Sequence, residues 1–149
     1  MNLSASVAPW SGVVRGLSLL FPLHWQEVGI DVPLDINYRA YYQLEKSGGL
    51  IVVGLWKETE IVGYWSFFLS PFLHSQGVRV AHTDMLFIRK DCRSGGAFRL
   101  LYAEAHKTLL ARGVKLWFVG EKNKKPLGKL LQRYGFVAEE TSYMKRLGK

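Results

Sequence analysis

Between Arg93 and Arg99 the chain reads RSGGAFR, and an apolar helical pattern begins inside that stretch. A helix start exposes unpaired backbone N–H groups and the positive end of its dipole, and glycines there let an anion approach closely. Arg93 and Arg99 flank the turn and can add charge-assisted hydrogen bonds to phosphate. Arg93, Ser94, Gly95, Gly96, Ala97, Phe98 and Arg99 together make a candidate diphosphate cradle, with a purely structural glycine turn as the alternative. Just upstream, HTDMLFI places Asp84 in an apolar strand. His82 lies two residues before it, so a regular strand turns both side chains the same way and offers a proton relay. The competing reading of Asp84 is a structural carboxylate bonded to loop backbone.

Other reactive side chains point nowhere in particular. The four histidines and single cysteine show no ligand spacing, so no metal site is expected. Cys92 has no partner for an internal disulfide, which favours a reducing compartment, and no evident His–acid pair activates it. The formal charge of +8 attracts polyanions: nucleic acid, acidic protein or a multiply phosphorylated cofactor. Lys122, Lys124, Lys125, Lys129, Arg133, Lys145 and Arg146 form a late basic run whose ordinary explanation is a solvated face. The most apolar stretch, residues 61–73, is shorter than the roughly 20 residues a membrane helix needs. The N-terminus lacks a basic region ahead of an apolar one, so a cytoplasmic protein is expected.

The elements that must position these residues follow from periodicity. A chain of 149 residues, 48% hydrophobic and 21% charged, suits one globular domain and excludes a disordered class. Residues 1–12 read as a loose arm or a weak first strand, and 13–149 as the domain itself. Residues 17–29 and 35–49 read as helices, the second with Asp35 as N-cap and Gly48–Gly49 as its stop. Residues 50–56 and 61–70 form a hairpin around the charged turn KETE, and 78–88 a third strand. A long helix runs up to Gly113, with Ala97, Leu101, Ala105 and Leu109 spaced i, i+4 along one face. VKLWFVG is a strand, KPLGKLLQRYG a short helix and FVAEETSYMKRL a last strand. The order α-α-β-β-β-α-β-α-β predicts a mixed α/β (α+β) fold, with a mainly antiparallel central sheet flanked by helices.

Arg93, Gly96 and Ala97 resemble the acyl-CoA signature Q/R-x-x-G-x-G/A of GNAT acetyltransferases, which follows a fourth strand and opens the main helix. The hairpin GLIVVGLWKETEIVGYW and the late LLQRYGF resemble other parts of that family, over residues 17 to the C-terminus. HWQEVG, SPFLH and SYMKRL are similar to its phage-encoded subgroup. The resemblance implies an acetyl-CoA-dependent N-acetyltransferase, acting on a primary amine by direct attack. It implies that the backbone of Met85, Leu86, Phe87 and Ile88 pairs with the pantetheine arm, and that an N–H near Leu86–Phe87 stabilises the oxyanion. A protonated amine needs a base, for which Asp84 is the first choice, with His82 as its relay. Glu27, in HWQEV, matches a cleft-facing position of the family; outside it, a lone helical Glu is simply solvated.

Two positions depart from the pattern. Phe98 stands where the signature has its second Gly or Ala, and its ring either points away from the cofactor or narrows the cradle. Leu131 stands where many members keep a Tyr that protonates the departing thiolate, so that role is vacant or passes to Tyr134, Tyr143 or water. Those departures motivate a second reading, a GNAT-fold binding protein without turnover that uses its basic surface on nucleic acid or an acidic protein. A monomer and a homodimer are both compatible with the sequence.

Overall fold

A computed structural model describes residues 2–94 and 96–148. Its elements, in chain order, are β1 (Leu3–Val7), α1 (Trp10–Val28), α2 (Tyr38–Lys46), β2 (Leu50–Lys57), β3 (Glu60–Pro71), β4 (Arg79–Ile88), α3 (Ala97–Ala111), β5 (Val114–Phe118) and α4 (Gly128–Arg133). The five strands form one sheet in sequence order. Its first three pairings are antiparallel, and β4 with β5 is parallel. This is the mixed, mainly antiparallel sheet with flanking helices expected from periodicity. Among the described residues no helix is long and apolar enough to cross a membrane.

The β-branched runs of β2 and β3 are buried on both faces, which is why they read as nearly continuous apolar stretches. On one face Leu101, Ala105 and Leu109 of α3 pack over Val53, Leu55, Trp65 and Phe67. On the other, Leu17, Leu20 and Phe21 of α1 cover Val52, Ile61, Tyr64 and Phe87. The approach of α1 is close: a Cβ on Gly16 would collide with Ile61 Cγ2, so only glycine allows the helix this depth.

Three expectations change. The helix expected from Leu17 starts at Trp10, because the amides of Trp10 and Ser11 are capped by the carboxylate of Glu45, on α2. Pro22 lies inside α1 and removes one N–H, yet the buried stripe on β3 carries the helix through it. The N-cap of α2 is Asn37, not Asp35: Asn37 Oδ1 accepts from the Ala40 N–H at 3.0 Å. Finally, FVAEETSYMKRL forms no strand. Phe136 is anchored on Trp117 at 5.0 Å between ring centroids, but Val137, Tyr143 and Leu147 are over 80% exposed. The polar AEETS run between them offers no apolar side to bury, so nothing draws the segment onto β5.

Candidate active site

The site begins where the sheet opens. Parallel pairing between β4 and β5 covers only Arg79–His82 of β4. From Thr83 to Ile88 that edge has no strand beside it among the described residues, so the sheet is open beyond the parallel pairing. Open sheets with parallel strands bind ligands beyond the carboxyl ends of those strands. Along this stretch Met85 and Phe87 pack towards α1, while Leu86 and Ile88 pack towards α3.

The far end of the open edge leads to the start of α3. Gly96 sits there at φ +81°, a left-handed conformation that favours glycine. Among the described residues no side chain caps the helix, so the first amides of Ala97, Phe98 and Arg99 remain open to an anion. A Cβ added at Gly96 would find only the Arg99 side chain, at 3.4 Å. Ser94 and Arg99 are exposed, Ala97 is buried, and Gly95 lies outside the described residues. The ring of Phe98 packs against Trp65 and Tyr134, with centroids 5.5 and 5.0 Å away. It therefore enters the core rather than narrowing the turn.

Arg93 is engaged differently from a simple phosphate ligand. Its Nε donates to the Ile88 carbonyl at 2.7 Å, and Nη2 donates to both carboxylate oxygens of Glu27 at 2.7 and 2.6 Å. The guanidinium also lies over the Phe87 ring, 5.5 Å from its centroid. Arg93 thus ties the last turn of α1 to the end of β4, and Arg99 is exposed at the glycine turn with no ion-pair partner among the described residues. Glu27, expected to face the substrate, is half-buried and already ion-paired.

Asp84 occupies an irregular position. Ser66 pairs with Met85 and Phe67 with Thr83, so Asp84 has no residue opposite it and forms a β-bulge. The bulge turns Asp84 and Met85 to the same side, towards α1 and α2. There Tyr41 Oη donates to Asp84 Oδ2 at 2.6 Å, and Ser66 Oγ donates to the same oxygen at 3.2 Å. Burial raises the Asp84 pKa above the usual carboxylate range, and the two hydrogen bonds pull it back. The result is a half-buried carboxylate without a cationic partner among the described residues, a suitable environment for a base.

The expected relay is not joined. His82 shares the side of Asp84 but is exposed, with its ring stacked on Phe118 at 5.0 Å, and no hydrogen bond links it to the carboxylate. Tyr143 is 90% exposed in the C-terminal segment and is not brought to the others. Instead, two groups that local patterns did not single out stand beside the site. By pattern alone Tyr41 is one residue of the second helix and Ser66 one residue of a hairpin strand. Their bonds to Asp84 span 43 and 18 residues, so only the tertiary fold reveals them.

His24 Nδ1 and Tyr64 Oη are hydrogen-bonded at 2.9 Å, and the His24 ring stacks on Phe87. Burial lowers the His24 pKa to about 4. The sign is that of a depressed group: the stability it supports is whole above pH 6.5 and is lost as pH falls towards 4. Tyr41 and Tyr64 are pushed above the ordinary phenol range, chiefly by burial, so both keep their protons at neutral pH.

Residues 14–136 match the Acetyltransferase (GNAT) family. No curated protein sequence matches the chain. Among solved structures, a ribosomal-protein-alanine N-acetyltransferase from Brucella melitensis biovar Abortus 2308 superposes with a TM-score of 0.80 at 16% identity, covering all of both chains. An aminoglycoside acetyltransferase from an uncultured soil metagenomic sample gives 0.78 at 17% identity, again over all of both chains. A predicted acetyltransferase from Clostridium acetobutylicum, solved with acetyl-CoA, gives 0.74 at 13% identity, over 99% of this chain and 96% of that one. At such identities the likeness is one of fold, and the family assignment rests on the match over most of the chain. This protein belongs to the GNAT family of acetyltransferases.

Proposed function

We propose that the protein transfers the acetyl group of acetyl-CoA to a primary amine by direct attack, with Asp84 as the base. The observation that carries this reading is the unpaired edge of β4 running from Asp84 to the uncapped start of α3. Acetyl-CoA fits that arrangement. The edge at Met85–Ile88 offers backbone partners for an extended amide-bearing arm, and the amides after Gly96, with Arg99, suit a diphosphate. When bound, acetyl-CoA supplies the activated acetyl thioester.

The chain's own residues do the rest. Both donors to Asp84 use Oδ2, which leaves Oδ1 to take a proton from the amine. The Leu86 N–H, which the β3–β4 ladder turns towards the open edge, is a fixed donor for a developing oxyanion. Leu131 is buried and has no proton to give, so thiolate protonation passes to Tyr134 or to water. Glu27 acts through Arg93, holding the end of β4 in place. The reading without turnover loses one of its two motives, since Phe98 leaves the turn clear.

The acceptor is a primary amine on a small molecule, a protein or a nucleic acid; the +8 charge is compatible with an acidic carrier. Placement in the phage-encoded subgroup rests on HWQEVG, SPFLH and SYMKRL, and a cytoplasmic location on the single cysteine, which suits a reducing compartment. The test is release of free thiol from acetyl-CoA across a panel of primary amines. We expect amine-dependent release well above the rate with acetyl-CoA alone. Binding of acetyl-CoA with no amine in a broad panel raising that rate would overturn the reading.

A further inference from the structure

We propose that Tyr41, carried on α2, is the positioning residue for Asp84, its phenol holding Oδ2 so that Oδ1 is the oxygen that meets the amine. This rests on the reading of Asp84 as the base. The Tyr41 bond is the shorter of the two that reach the carboxylate, 2.6 Å against 3.2 Å from Ser66.

The groups around Asp84 explain why one phenol matters so much. From α2 comes Tyr41, from β3 Tyr64 and Ser66, and from its own strand the exposed His82. From α1, neutral His24 stands behind Tyr64, and Glu45 of α2 is engaged with the first amides of α1. Among the described residues no Lys or Arg is paired with Asp84. A half-buried carboxylate without a cation depends on neutral donors to stay ionised, and a donor that favours the charged form lowers the pKa. Tyr41 suits that task because its own proton is held firmly by burial and by the carboxylate itself.

The phenol is also well anchored. Its ring stacks on Trp10 with centroids 4.4 Å apart and planes 14° from parallel. Trp10 in turn donates its backbone N–H to Glu45, one turn further along α2. α2 has no fully buried residue, so these ties to α1 and Asp84 do much to seat it. The helix that carries Tyr41 therefore sets the state of the base on β4.

The experiment follows the side-chain carboxyl carbon of Asp84 by ¹³C NMR across pH, in the unliganded full chain, with Asp84→Asn to assign the signal. We expect Tyr41→Phe, which keeps the stacked ring, to move the titration midpoint to higher pH. Ser66→Ala should move it in the same direction by less. In turnover, Tyr41→Phe should cut kcat/KM about tenfold on the acidic limb and recover to within about threefold on the alkaline plateau. A merely structural role would lower kcat/KM alike at every pH. An unmoved midpoint in Tyr41→Phe, or a larger shift in Ser66→Ala, overturns the proposal. The titration needs no substrate, so its failure is distinguishable from a failure of Asp84 as the base, which is read in the turnover of Asp84→Asn.

Discussion

Asp84→Asn lowers kcat/KM for amine acetylation roughly 100- to 1,000-fold, while affinity for coenzyme A stays within about twofold. The amide is nearly isosteric and can still accept from Tyr41 and Ser66 through its oxygen, so the bulge and its surroundings persist. What it cannot do is take a proton at neutral pH. An alkyl amine with a pKa near 10 is then left mostly protonated, and its lone pair is unavailable. Steady-state thiol release and calorimetric titration with coenzyme A separate the two effects. Unchanged turnover would remove Asp84 from the chemistry and leave it as a structural carboxylate.

The second large effect falls on cofactor binding. Gly96→Val weakens coenzyme A binding by about 10- to 100-fold, because a β-branched residue is strained at φ +81° and rotates the amides that follow. The space around a new Cβ is not the obstacle, since only Arg99 is near. The fault is in the backbone, so Gly96→Asn, which tolerates the left-handed region, retains most of the affinity. The strain also lowers the melting temperature by roughly 3–8 °C. A valine variant that binds coenzyme A like the parent would show that the turn is a structural corner and nothing more.

Parts of the fold were legible because their signals are local. The β2–β3 hairpin and the i, i+4 stripe of α3 announce themselves within a few residues, as do Gly113 and the short β5. The start of α1 is not legible locally, because its cap is a carboxylate 34 and 35 residues away, on another helix. No last strand forms because Glu139, Glu140 and Thr141 interrupt the apolar residues of FVAEETSYMKRL and leave no side to bury.

The site shows the same division. Asp84 and the glycine turn could be named from type and spacing, as could Arg93 and Glu27 as individual charges. That Arg93 and Glu27 bind one another across 66 residues could not. Nor could the bulge be read from the sequence, since a strand pattern does not reveal which residue lacks an opposite neighbour. The relay from His82 was sound as geometry of a strand, yet Phe118 takes the histidine ring and Tyr41 takes the carboxylate. Phe98 was the open question of the signature, and aromatic packing with Trp65 and Tyr134 answers it.

Catalysis by Asp84 requires the exposed strand edge to deliver a thioester to it from a diphosphate held at the helix start. A crystal structure with coenzyme A soaked in tests this directly. It should show phosphate oxygens on the amides after Gly96 and the pantetheine arm lying along Met85–Ile88, with the sulfur close to Asp84. Coenzyme A seated elsewhere, or a turn left empty at saturating ligand, would contradict it.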